Sequence, residues 1–376
     1  MDRLRVCVVT SNRADFGLLR PLLEEAKASQ QINLHLAATG AHLSHSHGYT
    51  LRDVWDAGFT DPTIIHADYG DGGLTATVEA FGTISHEAVR AMQEAHPDVI
   101  IVLGDRSEIL AVVTAAFLLR IPIAHISGGE ITLGSLDNQI RNAITIFSTW
   151  HFVASQDHAN RVASMGINSD DIYVVGRLAH DEIRSMETVS QTILQRHLDV
   201  VLGNQLFVVT FHPATASMGD QAAVANNLTQ ALDAFPETSV VITGTNNDVG
   251  GREVAETLRR WAGLNSGRAC YVQSLGSQKY ISLLRIADCV IGNSSSGLVE
   301  APLLGIPSVN IGDRQAGRDR SPTVTDCGIE VDQIRSAIDT ATQVILCPTE
   351  QTTTSANQPT VSSLILETLL RRRPIV

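Results

Sequence analysis

Short apolar runs alternate with longer amphipathic stretches from one end of the chain to the other. LRVCVVT, LHLAAT, DVIIVLG, IPIAHIS, HFVAS and IYVVG punctuate the first half, and LFVVTF, SVVITG, ACYVQS, DCVIGN and PSVNIG repeat the scheme in the second. Runs this short and rich in Val and Ile suit strands buried on both faces. The segments between them, such as Asp15 to Gln30, Leu74 to Ala95, Arg106 to Arg120 and Gln221 to Ala234, carry apolar residues at helical spacing. The alternation predicts α/β architecture with two doubly wound, Rossmann-like parallel sheets. The second series starts near Gln205, after a polar helical stretch from Asp181 to Asp199 that reads as the interdomain connection. The expected division is a first domain over 1–180, a second over 181–357 and a closing helix over 358–376 that returns to the first. A polar tail, PTEQTTTSANQPTVSS, leads into that helix, LILETLLRRR, and its terminal arginines suit a solvated helix end. Parallel sheets of this kind bind ligands beyond the carboxyl ends of their strands, so a cleft shared by the two domains is the expected site.

Composition narrows the partners. Of 376 residues, 44% are hydrophobic, enough for two cores, and 40 Asp and Glu against 27 Lys and Arg give a net charge of -13. Such a surface repels nucleic acid and acidic membranes, so an anionic ligand needs a local basic pocket. The five cysteines show no CxxC spacing and several sit in apolar runs, which suits buried reduced thiols and a cytoplasmic setting. No segment has the length of a transmembrane helix, and polar Ser11, Asn12 and Arg13 cut the first apolar run too short for a signal peptide.

The chemistry gathers at strand ends. In ADCVIGNSSSGLVEAPLLGIPSVNIGDRQAGR, a strand runs straight into Asn293, Ser294, Ser295, Ser296 and Gly297, which are expected to open a helix bearing Glu300. The next strand delivers Asp313, Arg314 and Arg318. Backbone amides, hydroxyls and a guanidinium at a helix start make a phosphate site. His212 ends the strand of TFHPATAS, and Asn246 ends that of TGTNND. In the first half, Arg13 falls in the turn after the first strand, with Asp15 as the expected helix cap.

LGDRSE places Asp105 at the end of the most apolar strand of that half. HISGGE brings His125 and Glu130, and LGSLDNQIRNAI brings Asp137 and Arg141 at a helix start. Carboxylates in different environments can keep one base and one acid at neutral pH. Asp137 equally fits an N-cap, and Asp105 an ion-pair partner of Arg106 or Arg141. His42, His45 and His47 form a histidine run, but no Asp, Glu or Cys nearby completes a ligand set, so no metal is expected. No G-x-G-x-x-G follows the first strand, which argues against a dinucleotide cofactor.

Taken together, SNRADFG, TGAHL, VLGDRSE, AHISGGE, LDNQIRNAIT, FHP, GNSSSGLVEAP and NIGDRQAGR closely resemble the hydrolysing UDP-N-acetylglucosamine 2-epimerases of bacterial sialic acid biosynthesis, over nearly the whole chain. The resemblance implies a fold like that of the B-type glycosyltransferases, with a UDP-sugar as substrate, no cofactor, and a homo-oligomer, dimer or tetramer, as working form. It places Ser294, Ser295, His212, Arg314 and Arg13 on the diphosphate, Glu300 on the ribose and Asn246 in the nucleotide region. Asp105, Glu130 and Asp137 become the acid and base candidates, with His125 beside them. Two departures stand out. Ser127 occupies a position where some relatives have Glu, and DNQIRN carries Asn138 and Asn142 where relatives often show an acid and a histidine. The implied reaction eliminates UDP and adds water across the resulting glycal, giving N-acetylmannosamine. The same reaction on UDP-N,N'-diacetylbacillosamine, toward legionaminic acid, is the first alternative. A B-type glycosyltransferase is the second.

Overall fold

The computed structural model describes residues 3–43, 49–66, 74–131, 136–213, 221–245, 251–343 and 359–372. The chain forms two compact units, Met1–Ser185 with Pro359–Val376, and Met186–Gln358.

The first unit runs β1 (Leu4–Thr10), α1 (Arg13–Ala28), β2 (Ile32–Ala38), α2 (Leu51–Asp56), β3 (Thr63–Ile64), α3 (Leu74–Ala95), β4 (Val99–Leu103), α4 (Ser107–Leu118), β5 (Ile123–Ile126), α5 (Asp137–Phe147), β6 (Trp150–Val153), α6 (Gln156–Ser164), β7 (Ile172–Val174) and α7 (Ala179–Ser185). Its sheet has the order β3-β2-β1-β4-β5-β6-β7, and every pairing is parallel. Successive side chains of a strand point to opposite faces. Ile101 of β4 therefore joins Val6, Val8, Leu19 and Leu23 on one face, while Ile100 and Val102 join Ile84, Val112 and Ile144 on the other. Each such burial contributes about 1.5–3 kcal/mol, which is why the strands read as unbroken apolar runs.

The second unit runs α8 (Gln191–Leu198), β8 (Leu206–Thr210), α9 (Gln221–Leu232), β9 (Ser239–Thr243), α10 (Gly251–Leu264), β10 (Ala269–Val272), α11 (Gly276–Leu284), β11 (Cys289–Gly292), α12 (Glu300–Leu303), β12 (Ser308–Ile311), β13 (Val324–Cys327) and α13 (Val331–Gln343). Its sheet, also fully parallel, has the order β10-β9-β8-β11-β12-β13. Phe207, Val209, Val240, Ile242 and Ile291 pack there against Leu228 and Leu258.

The last helix, α14 (Val361–Arg371), belongs to the first unit and puts Ile365, Leu366 and Leu369 into its core. Asp181 caps it from a distance. Its carboxylate accepts from Val361 N at 3.0 Å, Ser362 N at 2.6 Å and Ser362 Oγ at 2.7 Å, satisfying first-turn amides that a helix leaves open.

The doubly wound parallel architecture agrees with the sequence pattern. Two edge strands, β3 and β13, lie outside it. Both are short and incompletely buried, so neither carries a continuous apolar run. The stretch from Asp181 to Asp199 is two helices rather than one, with residues 186–190 non-helical between α7 and α8. Among the described residues no helix is long and apolar enough to cross a membrane.

Candidate active site

In both sheets the strand order reverses beside the first strand of the unit, between β1 and β4 and between β8 and β11. Ligands of doubly wound sheets bind at such reversals, at the carboxyl ends. Ser11 and Asp105 follow β1 and β4, and His212 and Asn293 follow β8 and β11, so candidate residues of each unit stand at its strand-order reversal. A cavity of about 480 Å³ lined by Arg5, His96, Asp98 and Pro122 opens at the amino-terminal edge of the first sheet, away from these groups.

In the first unit, Asp105 pairs with the buried guanidinium of Arg141, which also donates to the Glu130 carbonyl at 2.8 Å. Burial pushes the Asp105 carboxyl upward. Arg141 pulls it back, Asp137 raises it again, and Arg106 and Glu130 follow with opposite signs. Asp137 and Glu130 thus both act electrostatically on Asp105, as the arrival of the three acids from β4, the turn after β5 and the start of α5 foreshadows. Asp137 is the first residue of α5, and the N-cap position belongs to Leu136, with no side-chain cap bond. The alternative of Asp137 as an N-cap therefore falls away.

Glu130 ends a turn with unusual backbone. Ser127 lies in the left-handed region at φ 68, and so does Gly129 at φ 76, where a Cβ would collide with the His158 carbonyl. A non-glycine residue there costs about 1–2 kcal/mol, so the surroundings must hold it. Arg161 donates to the Gly129 carbonyl at 3.2 Å, and Arg177 to Glu130 Oε1 at 2.9 Å. Neither arginine figures in the sequence reading. Arg177 has a signal in retrospect, since VVGR repeats the strand, Gly and Arg order of LGDR and IGDR.

His125 does not act as the sequence suggests. Its ring is fully buried, Nε2 donates to the Gly104 carbonyl at 2.9 Å, and Nδ1 faces the Thr145 hydroxyl at 3.2 Å. Burial brings its pKa down to about 3, leaving a neutral ring with its proton committed. It ties the turn after β4 to β5 and is not placed to exchange protons with a substrate.

Around the end of β1, Asn12 is the N-cap of α1, accepting from Ala14 N at 2.9 Å and Asp15 N at 3.0 Å. Asp15, expected to cap, sits inside the first turn. It accepts from the Ser11 hydroxyl and the Asn12 amide, both at 2.6 Å. Burial pushes its carboxyl up to about 6, against the Ser11 hydrogen bond and Arg106. Arg13 is the first residue of α1 rather than a turn residue, and its exposed side chain reaches Asp53 at 3.2 Å. His42 is enclosed by two threonines, Thr10 at 3.0 Å and Thr50 at 2.9 Å, which engage both ring nitrogens. His45 and His47 lie outside the described residues.

In the second unit the backbone of Gly292 has φ 139, and a Cβ there would run into the Thr210 carbonyl. Only glycine lets β11 pass so close to β8 before the turn. Asn293 then brackets the His212 peptide, and its own carbonyl accepts from Arg314 Nη1 at 3.1 Å and Gln315 Nε2 at 2.9 Å. Three strand ends, those of β8, β11 and β12, are joined through this one residue. Ser296 faces inward and accepts from the Tyr280 hydroxyl at 2.7 Å, while Ser294 and Ser295 stay half-buried.

The helix expected to start here is interrupted. A 3-10 turn spans Ser295–Gly297, and α12 has a single turn from Glu300. Pro302 has no N–H to bond the Leu298 carbonyl, which breaks the ladder. A helix dipole therefore contributes little here, and what the turn can offer an anion is individual N–H groups, serine hydroxyls and Arg314. Glu300 stands at the start of α12, near enough to Tyr280 to help raise its phenol to about 12, after burial. Asn246 lies outside the described residues.

The chain matches the family model described as UDP-N-acetylglucosamine 2-epimerase over residues 24–365. It is 34% identical over 337 residues to the GDP/UDP-N,N'-diacetylbacillosamine 2-epimerase (hydrolyzing) of Campylobacter jejuni subsp. jejuni serotype O:2, covering 89% of this chain and 87% of the relative. It is 29% identical over 337 residues to the UDP-N-acetylglucosamine 2-epimerase of Neisseria meningitidis serogroup B, covering 90% and 87%. Among solved structures, a UDP-GlcNAc 2-epimerase from Neisseria meningitidis, crystallised bound to UDP-GlcNAc, superposes with a TM-score of 0.74 at 19% identity, over 97% of this chain and 99% of that one.

Proposed function

Since the chain belongs to the UDP-N-acetylglucosamine 2-epimerase family, we propose that it is a hydrolysing member, converting UDP-N-acetylglucosamine and water to N-acetylmannosamine and UDP. The observation that carries this reading is the set of carboxylates Asp105, Glu130 and Asp137 at the carboxyl edge of the first sheet, with arginines fixing Asp105 and Glu130 individually. A nucleotide-binding protein without catalysis has no need of them. One carboxylate removes the C2 proton as the C1–O bond to the diphosphate breaks; the C2–H electron pair becomes the C1=C2 bond of a glycal, and the C1–O pair leaves with UDP. Water then adds hydroxyl to C1 and a proton to C2 from the opposite face. The protein supplies orientation, a proton acceptor and donor, and cationic stabilisation of the leaving group.

The diphosphate falls to Arg314, Ser294, Ser295, His212 and Arg13, the ribose to Glu300 and the nucleotide region to Asn246. We place the enzyme in the cytoplasm as a homo-oligomer. The Campylobacter relative, at 34% identity and named as hydrolyzing, supports both hydrolysis and a second substrate, UDP-N,N'-diacetylbacillosamine. Incubating the protein with each UDP-sugar alone, with no acceptor, tests the reading: UDP and a free 2-epimerised sugar are expected from one of them. Release from neither overturns it, and release only when an acceptor is added points to glycosyl transfer.

A further inference from the structure

Three arginines from successive elements close on the turn that carries Glu130. Arg141 of α5 and Arg161 of α6 donate to backbone carbonyls, of Glu130 at 2.8 Å and Gly129 at 3.2 Å, and would hold the turn whatever side chain stood at 130. Arg177 follows β7 and differs from those two, because its Nη1 donates to the carboxylate itself, at 2.9 Å. The pair sits at a partly open edge, with side chains 31% and 26% exposed. Ion pairs in such a setting add only about 0–1 kcal/mol to stability. Stability is therefore a poor reason for the contact. Orientation is a better one, since a carboxylate with free rotation about its side-chain bonds would spend little time aimed at a substrate carbon, and the strained Ser127–Glu130 turn already fixes where its backbone starts.

Resting on the hydrolysing-epimerase reading above, we propose that Arg177 is a positioning residue of the reaction, holding the Glu130 carboxylate in its working orientation. Arg177 acts through Glu130 and takes no proton itself. Three readouts separate this role from a structural one. Arg177→Met lowers kcat about ten- to a hundredfold, the scale of misplacing a catalytic group by an ångström, while calorimetric UDP affinity stays within about twofold of wild type. Arg177→Lys, which keeps a charge in reach of Glu130, falls between Met and wild type. In a Glu130→Gln background, Arg177→Met changes kcat by less than about twofold, because the group it orients is gone.

Equal kcat in the Met and Lys variants, at the wild-type level or below it, overturns the assignment. So does loss of UDP affinity in step with kcat, or an Arg177 effect that persists undiminished beside Glu130→Gln. Wild-type protein that releases UDP from neither UDP-sugar removes the reaction first, and this inference with it.

Discussion

Asn293 and the His212 peptide are locked to each other by a reciprocal pair of hydrogen bonds, His212 N to Asn293 Oδ1 at 2.7 Å and Asn293 Nδ2 to the His212 carbonyl at 2.8 Å. The amide imitates a neighbouring strand beyond the point where β8 and β11 stop pairing. The backbone carbonyl of Asn293 collects Arg314 and Gln315, so the turn that carries the candidate nucleotide residues of the second unit is organised by the side chain and the backbone of one buried, uncharged residue. No single interaction in it needs to be strong. The arrangement needs only that donors and acceptors match.

That matching makes Asn293→Asp informative. Aspartate keeps an acceptor for His212 N but sets a carboxylate oxygen against the His212 carbonyl, and an unsatisfied buried polar group costs about 1–3 kcal/mol. We expect lower thermal stability and UDP affinity reduced by roughly tenfold or more, since 1.4 kcal/mol is a factor of ten. Calorimetric UDP binding at the wild-type level would show that Asn293 does not organise the site.

Asp105→Asn, Glu130→Gln and Asp137→Asn keep the size of each side chain and remove its ability to accept a proton as a carboxylate. Each variant is expected to fold and bind UDP, and each that transfers a proton loses about two or more orders of magnitude in kcat. Steady-state UDP release measures this directly. A variant with near-normal turnover drops its residue from the proton-transferring set, and near-normal turnover in all three discards the mechanism.

The fold was legible because buried parallel strands impose continuous apolar runs, and those runs end in the residues that the strands present at their carboxyl edges. The places of Asp105, Glu130 and Arg314 beyond strand ends are legible that way. What pairs with them is not. Arg177 and Glu130 are 47 residues apart and meet only because β5, β6 and β7 lie side by side, a fact of sheet order rather than of spacing. His125 misled for a related reason: a histidine at a strand end looks available until the neighbouring strand end supplies a carbonyl for its proton. Pro302 was visible throughout, and its cost to the helix after the Ser-rich turn follows from its missing N–H alone.

Asp15 gives a pH-dependent test. Burial raises its carboxyl from 3.8 to about 6, so the folded state prefers the protonated acid. An acid raised in this way helps stability fully below its unfolded value, and the help is lost as pH climbs through the folded value. The penalty therefore develops between about pH 4 and pH 6. Replacing Asp15 by Asn removes the ionisation and keeps an oxygen to accept from Ser11. The difference in melting temperature, variant minus wild type, is expected to be more positive at pH 8 than at pH 4.5. A difference independent of pH would mean that Asp15 ionises as freely in the folded protein as in the unfolded chain.

The hydrogen at C2 carries the sharpest test of the mechanism. Asp105 and Glu130 are fixed by separate arginines, Arg141 and Arg177, which suits two carboxylates doing separate tasks. If one removes the C2 proton and another group delivers a proton to the opposite face, the abstracted hydrogen is not the one returned. Carboxyl protons exchange with water between turnovers, so turnover in deuterated water should yield product with close to one deuterium at C2, read by mass spectrometry and by loss of the C2 proton signal. A hydride mechanism would instead carry the original hydrogen through to the product. Labelled sugar appearing together with free UDP, without any acceptor, therefore separates elimination and rehydration from hydride transfer and from glycosyl transfer in one measurement, and product lacking deuterium at C2 overturns the mechanism whichever UDP-sugar is turned over.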